Sequence, residues 1–115
     1  MPSKSPVRRF EDILDNIDLI KQYTRDFSHE TFLQDRKTQD AVERCLMRIS
    51  EAASKLENSA EALMPEQPWS EIRAVGNILR HEYDNVDPLI IWNIVGRDLE
   101  SLRISVETAL ARLRH

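Results

Sequence analysis

Glycine is scarce in this chain, and the scarcity constrains the fold more than any other feature. Only Gly76 and Gly96 occur in 115 residues, whereas average usage of about 7% would give roughly eight. A sheet protein of this length needs glycine at many tight turns. The sequence therefore predicts an all-α fold and argues strongly against all-β and Rossmann-type folds.

The spacing of apolar residues predicts four main helices in a single domain that spans residues 1–115. The helical repeat covers Pro6–Phe27, Glu30–Leu56, Trp69–Tyr83 and Pro88–Leu113. Residues 57–68 break the pattern and predict a loop, with one helical turn at Ala60–Leu63. The last helix is expected to loosen near Gly96. Long helices with short connections favour an up-and-down bundle of four or five helices.

Charge and cysteine content limit the partners and the compartment. A net charge of −4 argues against binding nucleic acid through bulk electrostatics, so any contact with RNA must be local. The single Cys45 forms no internal disulfide, fits a reducing compartment and is expected in the core. No apolar run is long enough to span a bilayer, and the N-terminus does not resemble a signal peptide. We therefore expect a cytoplasmic protein without membrane contact.

No metal or other cofactor is predicted. The chain has three histidines, none at metal-ligand spacing from another, and its one cysteine has no companion. Zinc sites need several such ligands at short, defined spacings. The polar chemistry of this chain therefore has to come from its own side chains.

The start of the fourth helix is apolar on every side. Its residues 89–95 are Leu, Ile, Ile, Trp, Asn, Ile and Val. A helix that is apolar all round is buried all round, whereas a four-helix monomer buries only one face of each helix. We therefore expect a homodimer with Trp92 as an interface anchor. The alternative is that Trp92 fills a gap in the core of the monomer.

The third helix carries a polar stripe opposite an apolar face. At about 100° per residue, the stripe is about 100° wide and consists of Arg73, Asn77, Arg80, His81 and Asp84. The predicted core side consists of Ile72, Val75, Ile78, Leu79 and Tyr83. Histidine exchanges a proton near neutral pH, and arginine binds phosphate and stabilises anionic transition states. The stripe is typical of a phosphodiester site, or else of a solvated helix face.

Two segments resemble the HepT-like branch of the HEPN superfamily. Residues 69–87, WSEIRAVGNILRHEYDNVD, are followed by IIW at 90–92 and are similar to the family's signature, and residues 39–53 are similar to its second helix. The resemblance implies a helical bundle that dimerises so that two copies of the motif face one cleft. It also implies a metal-independent ribonuclease toxin.

The resemblance assigns individual roles. His81 matches the family histidine, Asn77 the polar residue after the family arginine, and Tyr83 a tyrosine that a small nucleotidyltransferase antitoxin silences by adding AMP. The family arginine itself falls at Gly76. Arg80 lies one turn later, and helical side chains lean toward the N-terminus. We therefore expect its guanidinium to reach back over open space at Gly76.

The sequence leaves alternatives for two further residues and for the function. Arg73 is a second candidate for the missing arginine, and Glu51 is expected to pair with Arg73 or Arg80 or to face solvent. One function is an RNA endonuclease that cleaves by attack of a ribose 2′-hydroxyl. The alternative, favoured by Gly76, is an impaired member of the family that only binds nucleotide, RNA or the nucleotidyltransferase. A purely structural helical dimer would leave the polar stripe unused.

Overall fold

The computed structural model describes residues 5–82 and 86–114. Within these residues all regular structure is helical, which confirms the predicted all-α class. The helices are α1 (Pro6–Thr24), α2 (His29–Leu33), α3 (Arg36–Leu56), α4 (Asn58–Leu63), α5 (Trp69–His81), α6 (Pro88–Arg97) and α7 (Leu99–Leu113). The short α4 occupies the place where one helical turn was predicted.

Two of the four predicted main helices each consist of two helices in the structure, so the prediction of a single helix over residues 30–56 and over residues 88–113 was wrong. The predicted helix over residues 30–56 breaks before α3, because the Asp35 carboxylate accepts a 3.0 Å hydrogen bond from the Thr38 N–H and caps a new helix. Ser28 and Thr31 form a capping box that starts α2. The last predicted helix divides at Asp98, two residues beyond the expected Gly96.

The α3 helix lies between two neighbours, with α1 on one side and α5 on another. The core that these helices and α7 share is apolar and includes Phe10, Ile13, Ile17, Val42, Cys45, Ile49, Val106 and Leu110. Cys45 is buried there, as predicted. The half-buried Trp92 packs inside the chain against Phe32, with ring centroids 5.0 Å apart. Trp92 therefore packs against the core of its own chain and keeps part of its surface exposed, and the predicted homodimer stays a prediction.

Ion pairs connect α1 to α7 and show that the two helices are antiparallel. Lys21 near the end of α1 pairs with Glu100 near the start of α7 at 2.8 Å. Glu11 pairs with Arg114 at the opposite ends, and Asp18 with Arg103 between them. In the described part of the chain, no helix has the length and apolar character needed to cross a membrane.

Candidate active site

The position of α5 is set by a close contact between Ser50 of α3 and Gly76. Ser50 is 3% exposed. Its hydroxyl donates a 2.8 Å hydrogen bond to the Arg73 carbonyl and accepts one of 3.1 Å from the Gly76 N–H. A Cβ atom on residue 76 would lie 2.7 Å from Ser50 Cβ and closer still to the hydroxyl oxygen. Only glycine therefore fits at residue 76 without displacing α3.

The space around Gly76 is not open on the side that faces α3. Ser50 fills it, so the expectation of empty space there was wrong. On the other side, Arg80 Nη1 lies 3.9 Å from the position that a Cβ atom on residue 76 would take. The Arg80 side chain thus leans back over Gly76, in the direction expected for a helical side chain.

Arg73 holds α3, α4 and α5 together through its guanidinium. Its Nε donates to the Ala53 carbonyl at 3.1 Å and its Nη2 to the Glu57 carbonyl at 2.8 Å. Both groups belong to the end of α3, where helical carbonyls lack partners within the helix. Nη1 and Nη2 also bind the two carboxylate oxygens of Glu61 at 2.6 and 3.0 Å. Four of the five N–H groups of this guanidinium therefore have partners.

The forked bond between Arg73 and Glu61 changes the proton affinity of both groups. The hydrogen bond from Arg73 lowers the pKa of the Glu61 carboxyl. The same hydrogen bond raises the pKa of the Arg73 guanidinium. Both shifts favour the ionised pair, so Arg73 fixes α4 and the end of α3 to α5.

The other described residues of the polar stripe are exposed on α5. Asn77, Arg80 and His81 face solvent, and among the described residues their side chains form no ion pair. His81 is the last residue of α5, where positive charge interacts favourably with the helix dipole. The predicted site residues Tyr83 and Asp84 lie outside the described residues.

Among the described residues, Glu51 forms no ion pair with either arginine of the stripe. It pairs instead with Lys55 on its own helix, at 3.7 Å, and Arg73 uses Glu61 as its carboxylate. The predicted pairing of Glu51 with Arg73 or Arg80 was therefore wrong, and the solvent-facing alternative holds. The residue that sequence reasoning missed is Ser50. The run Ser-Glu-Ala-Ala at 50–53 was its signal, because small residues allow close helix approach.

The apolar side of α5 is only partly covered, contrary to its prediction as a core face. Leu79 is buried, whereas Ile72 and Val75 are half-buried and Ile78 is 44% exposed. Beside them, a groove of about 740 Å³ runs between α5 and the following helices. Ile90 of α6 lines the groove and is 55% exposed. The exposed arginine and histidine of α5 thus belong to a helix that still has apolar surface to bury.

Comparison with known proteins identifies the family. The sequence profile described as "Ribonuclease HepT-like" matches residues 13–109, most of the chain. The "Probable ribonuclease HepT" of Thermococcus cleftensis is 42% identical over 93 residues, which cover 81% of this chain and 84% of that protein. The "Putative RNase MJ1380" of Methanocaldococcus jannaschii is 32% identical over 106 residues, covering 91% of this chain and 97% of that protein.

The structure defines a class of protein: an all-helical chain with an exposed arginine and an exposed histidine next to each other on one helix. The profile match and the two relatives make the assignment specific: the chain belongs to the HepT-like ribonuclease family. No solved structure matches the chain significantly.

Proposed function

We propose that this protein is a metal-independent endoribonuclease in which Arg80 takes the part of the arginine missing at Gly76. The observation that carries the proposal is the position of Arg80 Nη1, 3.9 Å from where a side chain on residue 76 would begin. Arg80 and His81 are then exposed neighbours at the end of α5. The ribonuclease names of the two relatives support RNA as the substrate.

His81 is the proposed general base. In its neutral form, its imidazole takes the proton of a ribose 2′-hydroxyl, and the oxygen attacks the adjacent phosphorus. The bond from phosphorus to the 5′ oxygen of the next nucleotide breaks. The products are a 2′,3′-cyclic phosphate and a free 5′-hydroxyl. The proton for the leaving oxygen comes from the partner's His81 or from water.

Arg80 is the proposed electrostatic catalyst. Negative charge grows on the phosphoryl oxygens as the 2′ oxygen attacks, and a guanidinium placed beside them stabilises it. Arg80 is preferred to Arg73 because the guanidinium of Arg73 is bound to Glu61 and to two carbonyls. Asn77, also exposed on α5, is the proposed ligand for a phosphate oxygen.

A homodimer, with each chain an up-and-down helical bundle, would bring two such sites together. Support comes from the exposed isoleucines of α5 and α6, Ile78 and Ile90, and from the groove between these helices. Exposed apolar surface of this kind is typical of protein interfaces. The second subunit would supply the cover that the described chain lacks and the second histidine that the mechanism can use.

The proposed biological setting is a toxin–antitoxin pair. A small nucleotidyltransferase would silence the enzyme by adding AMP to Tyr83, two residues after His81. The added phosphate brings negative charge and bulk to the end of α5, where RNA phosphates would otherwise bind. A gene for such a transferase next to the gene of this protein is the expected genomic context.

The function is tested by expressing the protein alone and by incubating the purified protein with RNA. Growth arrest and RNA cleavage are expected for wild type. In Arg80→Ala and in His81→Ala, the rate of RNA cleavage is expected to fall by about 100-fold or more, the typical effect of losing one electrostatic or acid–base group, and growth arrest is expected to disappear. Arg112→Ala on α7 is the matched control and keeps both. Full activity of Arg80→Ala contradicts the proposed role of Arg80.

The alternative function is a binding module without cleavage. One observation favours it: the family arginine is replaced by Gly76, and Ser50 blocks any larger side chain there. This alternative predicts that wild type binds RNA or the nucleotidyltransferase but leaves RNA intact. It also predicts that His81→Ala has no effect on growth.

A further inference from the structure

A basic stripe runs along the outer face of α3, in a protein whose net charge is negative. It consists of Lys37, Arg44, Arg48 and Lys55, all exposed. At 3.6 residues per turn the four positions fall within about 40° of one another and extend over about 27 Å. In the described structure Lys37, Arg44 and Arg48 form no ion pair. Arg44 and Arg48 are like charges at i and i+4, which is unfavourable for an isolated helix.

A polar pocket of about 250 Å³ opens beside this stripe, between α1 and α3. It is lined by Arg9, Asp12, Asn16, Arg48, Glu51, Ala52 and Lys55. Its two carboxylates are held at 3.5 Å from Arg9 and at 3.7 Å from Lys55. The Lys55–Glu51 pair is exposed and long and contributes little free energy, so an anion can replace Glu51 as the partner of Lys55, whereas the Arg9–Asp12 pair is partly buried. Arg48 has no carboxylate partner in the described structure.

Asn16 lines the pocket and carries a buried hydrogen-bond acceptor. It is 8% exposed, and its Nδ2 donates a 2.8 Å hydrogen bond to the Asp12 carbonyl. Its Oδ1 is buried and has no donor within the described residues. A buried acceptor without a donor costs about 1–3 kcal/mol. A ligand with a hydroxyl or amino group can remove that cost, whereas an ionised phosphate alone cannot.

We propose that the α1–α3 pocket binds one ribonucleotide of an RNA strand and that the basic stripe carries the phosphates on either side. Arg48 and Lys55 bind phosphate at the pocket, and Asn16 accepts a hydrogen bond from the ribose or the base. Arg44 and Lys37 continue the contact along the strand. This surface lies on the side of α3 away from Gly76, so it is a second RNA contact distinct from Arg80 and His81.

The chemistry favours RNA over an acidic protein surface. Both would match the charge of the stripe, but a nucleotide combines phosphate with hydroxyl and amino donors in one unit. The pocket offers cations and a buried acceptor in the same small volume. The inference deepens the proposed action on RNA, and its test measures binding rather than cleavage.

The experiment measures the affinity for a fluorescein-labelled single-stranded RNA of about 20 nucleotides, longer than a typical single-strand site. The His81→Ala background keeps the RNA intact. Arg44→Gln with Arg48→Gln is expected to weaken binding about tenfold at 50 mM salt and to lower the salt slope by about 1.4, since each phosphate contact contributes about 0.7. Lys21→Gln with Arg114→Gln removes the same charge from the α1–α7 face and is expected to change affinity less than twofold, because these cations lie off the proposed path.

Asn16→Leu separates the pocket from general electrostatics. It removes the acceptor without changing charge, and it should weaken RNA binding about threefold to tenfold, the range for one hydrogen bond. Its melting temperature is expected to be equal to or above that of wild type, because the unsatisfied oxygen is gone. A lower melting temperature with unchanged RNA affinity overturns the role of Asn16.

The remaining outcomes are decisive as well. If the two double variants weaken RNA binding equally, the effect comes from net charge alone and the proposal is overturned. Unchanged affinity in the Arg44/Arg48 variant overturns it too and leaves an acidic protein as the partner of the stripe. If AMP displaces the RNA completely, the surface binds a single nucleotide and not an RNA strand, and the proposal is overturned. If wild type fails to cleave RNA while the stripe variant still loses binding, only the proposed catalysis fails.

Discussion

The guanidinium groups of Arg73 and Arg80 have different surroundings, although both residues belong to one polar stripe of α5. Arg73 binds Glu61 and the end of α3, whereas Arg80 is exposed over Gly76. Periodicity placed both on the same face, because it measures only the angle around the helix. It could not separate them, since the partners of Arg73 come from residues 53–61, which the sequence predicted as a helix end and a loop.

Replacing Arg73 by methionine is expected to lower the free energy of unfolding by about 1–3 kcal/mol. The substitution keeps the apolar stem but removes the bonds to Glu61 and to the carbonyls at the end of α3. Urea denaturation measures the loss, and RNA cleavage by the folded variant should be retained. Unchanged stability together with lost cleavage would instead make Arg73 the catalytic arginine.

The pair between Glu61 and Arg73 also predicts a pH dependence. Because the pKa of Glu61 is lower in the folded chain, its contribution to stability is present at neutral pH. It is lost as the pH falls below the ordinary carboxyl value of about 4.5. The difference in free energy of unfolding between wild type and Glu61→Gln should therefore shrink from pH 7 to pH 3. A difference that stays constant over this range would contradict the predicted linkage.

At the scale of the helices, the contact between α3 and α5 reverses an ordinary preference. Alanine is favoured over glycine within a helix by up to about 1 kcal/mol. Here a methyl group on residue 76 would lie 2.7 Å from Ser50 Cβ, so Gly76→Ala is expected to destabilise by about 1–3 kcal/mol. Thermal or urea unfolding measures it, and a more stable Gly76→Ala variant would refute the close contact.

A double-mutant cycle isolates that contact. If the methyl group of the Gly76→Ala variant presses on Ser50, then Ser50→Gly costs less stability in that variant than in wild type. Equal costs in the two backgrounds would place the strain elsewhere. Helical spacing gave no warning of the contact, because it describes one helix at a time, and Ser50 of α3 precedes Gly76 by 26 residues in the sequence.

The helix ends show where periodicity alone was insufficient. The apolar repeat predicted helical structure in the four long segments, but two of these segments each consist of two helices. It ran through residues 34 and 35, where the Asp35 cap starts α3 anew. Side-chain caps act over three residues, a shorter range than the repeat that averages over them.

At the scale of the whole molecule, the uncovered groove beside α5 and α6 predicts self-association. Ile90→Asp is expected to convert a dimer into a monomer, because it places a charge in the apolar surface that the second subunit would cover. Ile104→Asp is the matched control, since Ile104 is 58% exposed on α7 and Ile90 is 55% exposed. Analytical ultracentrifugation distinguishes the states. A wild-type monomer, or a dimer in both variants, would refute the interface.

The overall class, the long helices and the buried Cys45 followed from composition and periodicity. The site followed only in part: the sequence identified the stripe and the backward lean of Arg80, but the fixed Arg73 and the buried Ser50 depend on contacts between helices. Trp92 illustrates the same limit. An apolar run predicts burial, yet it does not say whether the cover is Phe32 of the same chain or a second subunit.

The contact between Ser50 and Gly76 also sets an order on sequence change. Because Ser50 occupies the volume that any side chain at residue 76 would need, arginine cannot enter at 76 until residue 50 shrinks or α5 shifts. A substitution at residue 76 alone gives a destabilised chain, whereas a change at residue 50 that comes first avoids this loss of stability. Aligned relatives should therefore vary at these two positions together, and a catalytic arginine at the position of Gly76 should be accompanied by a smaller residue, or a displaced helix, at the position of Ser50.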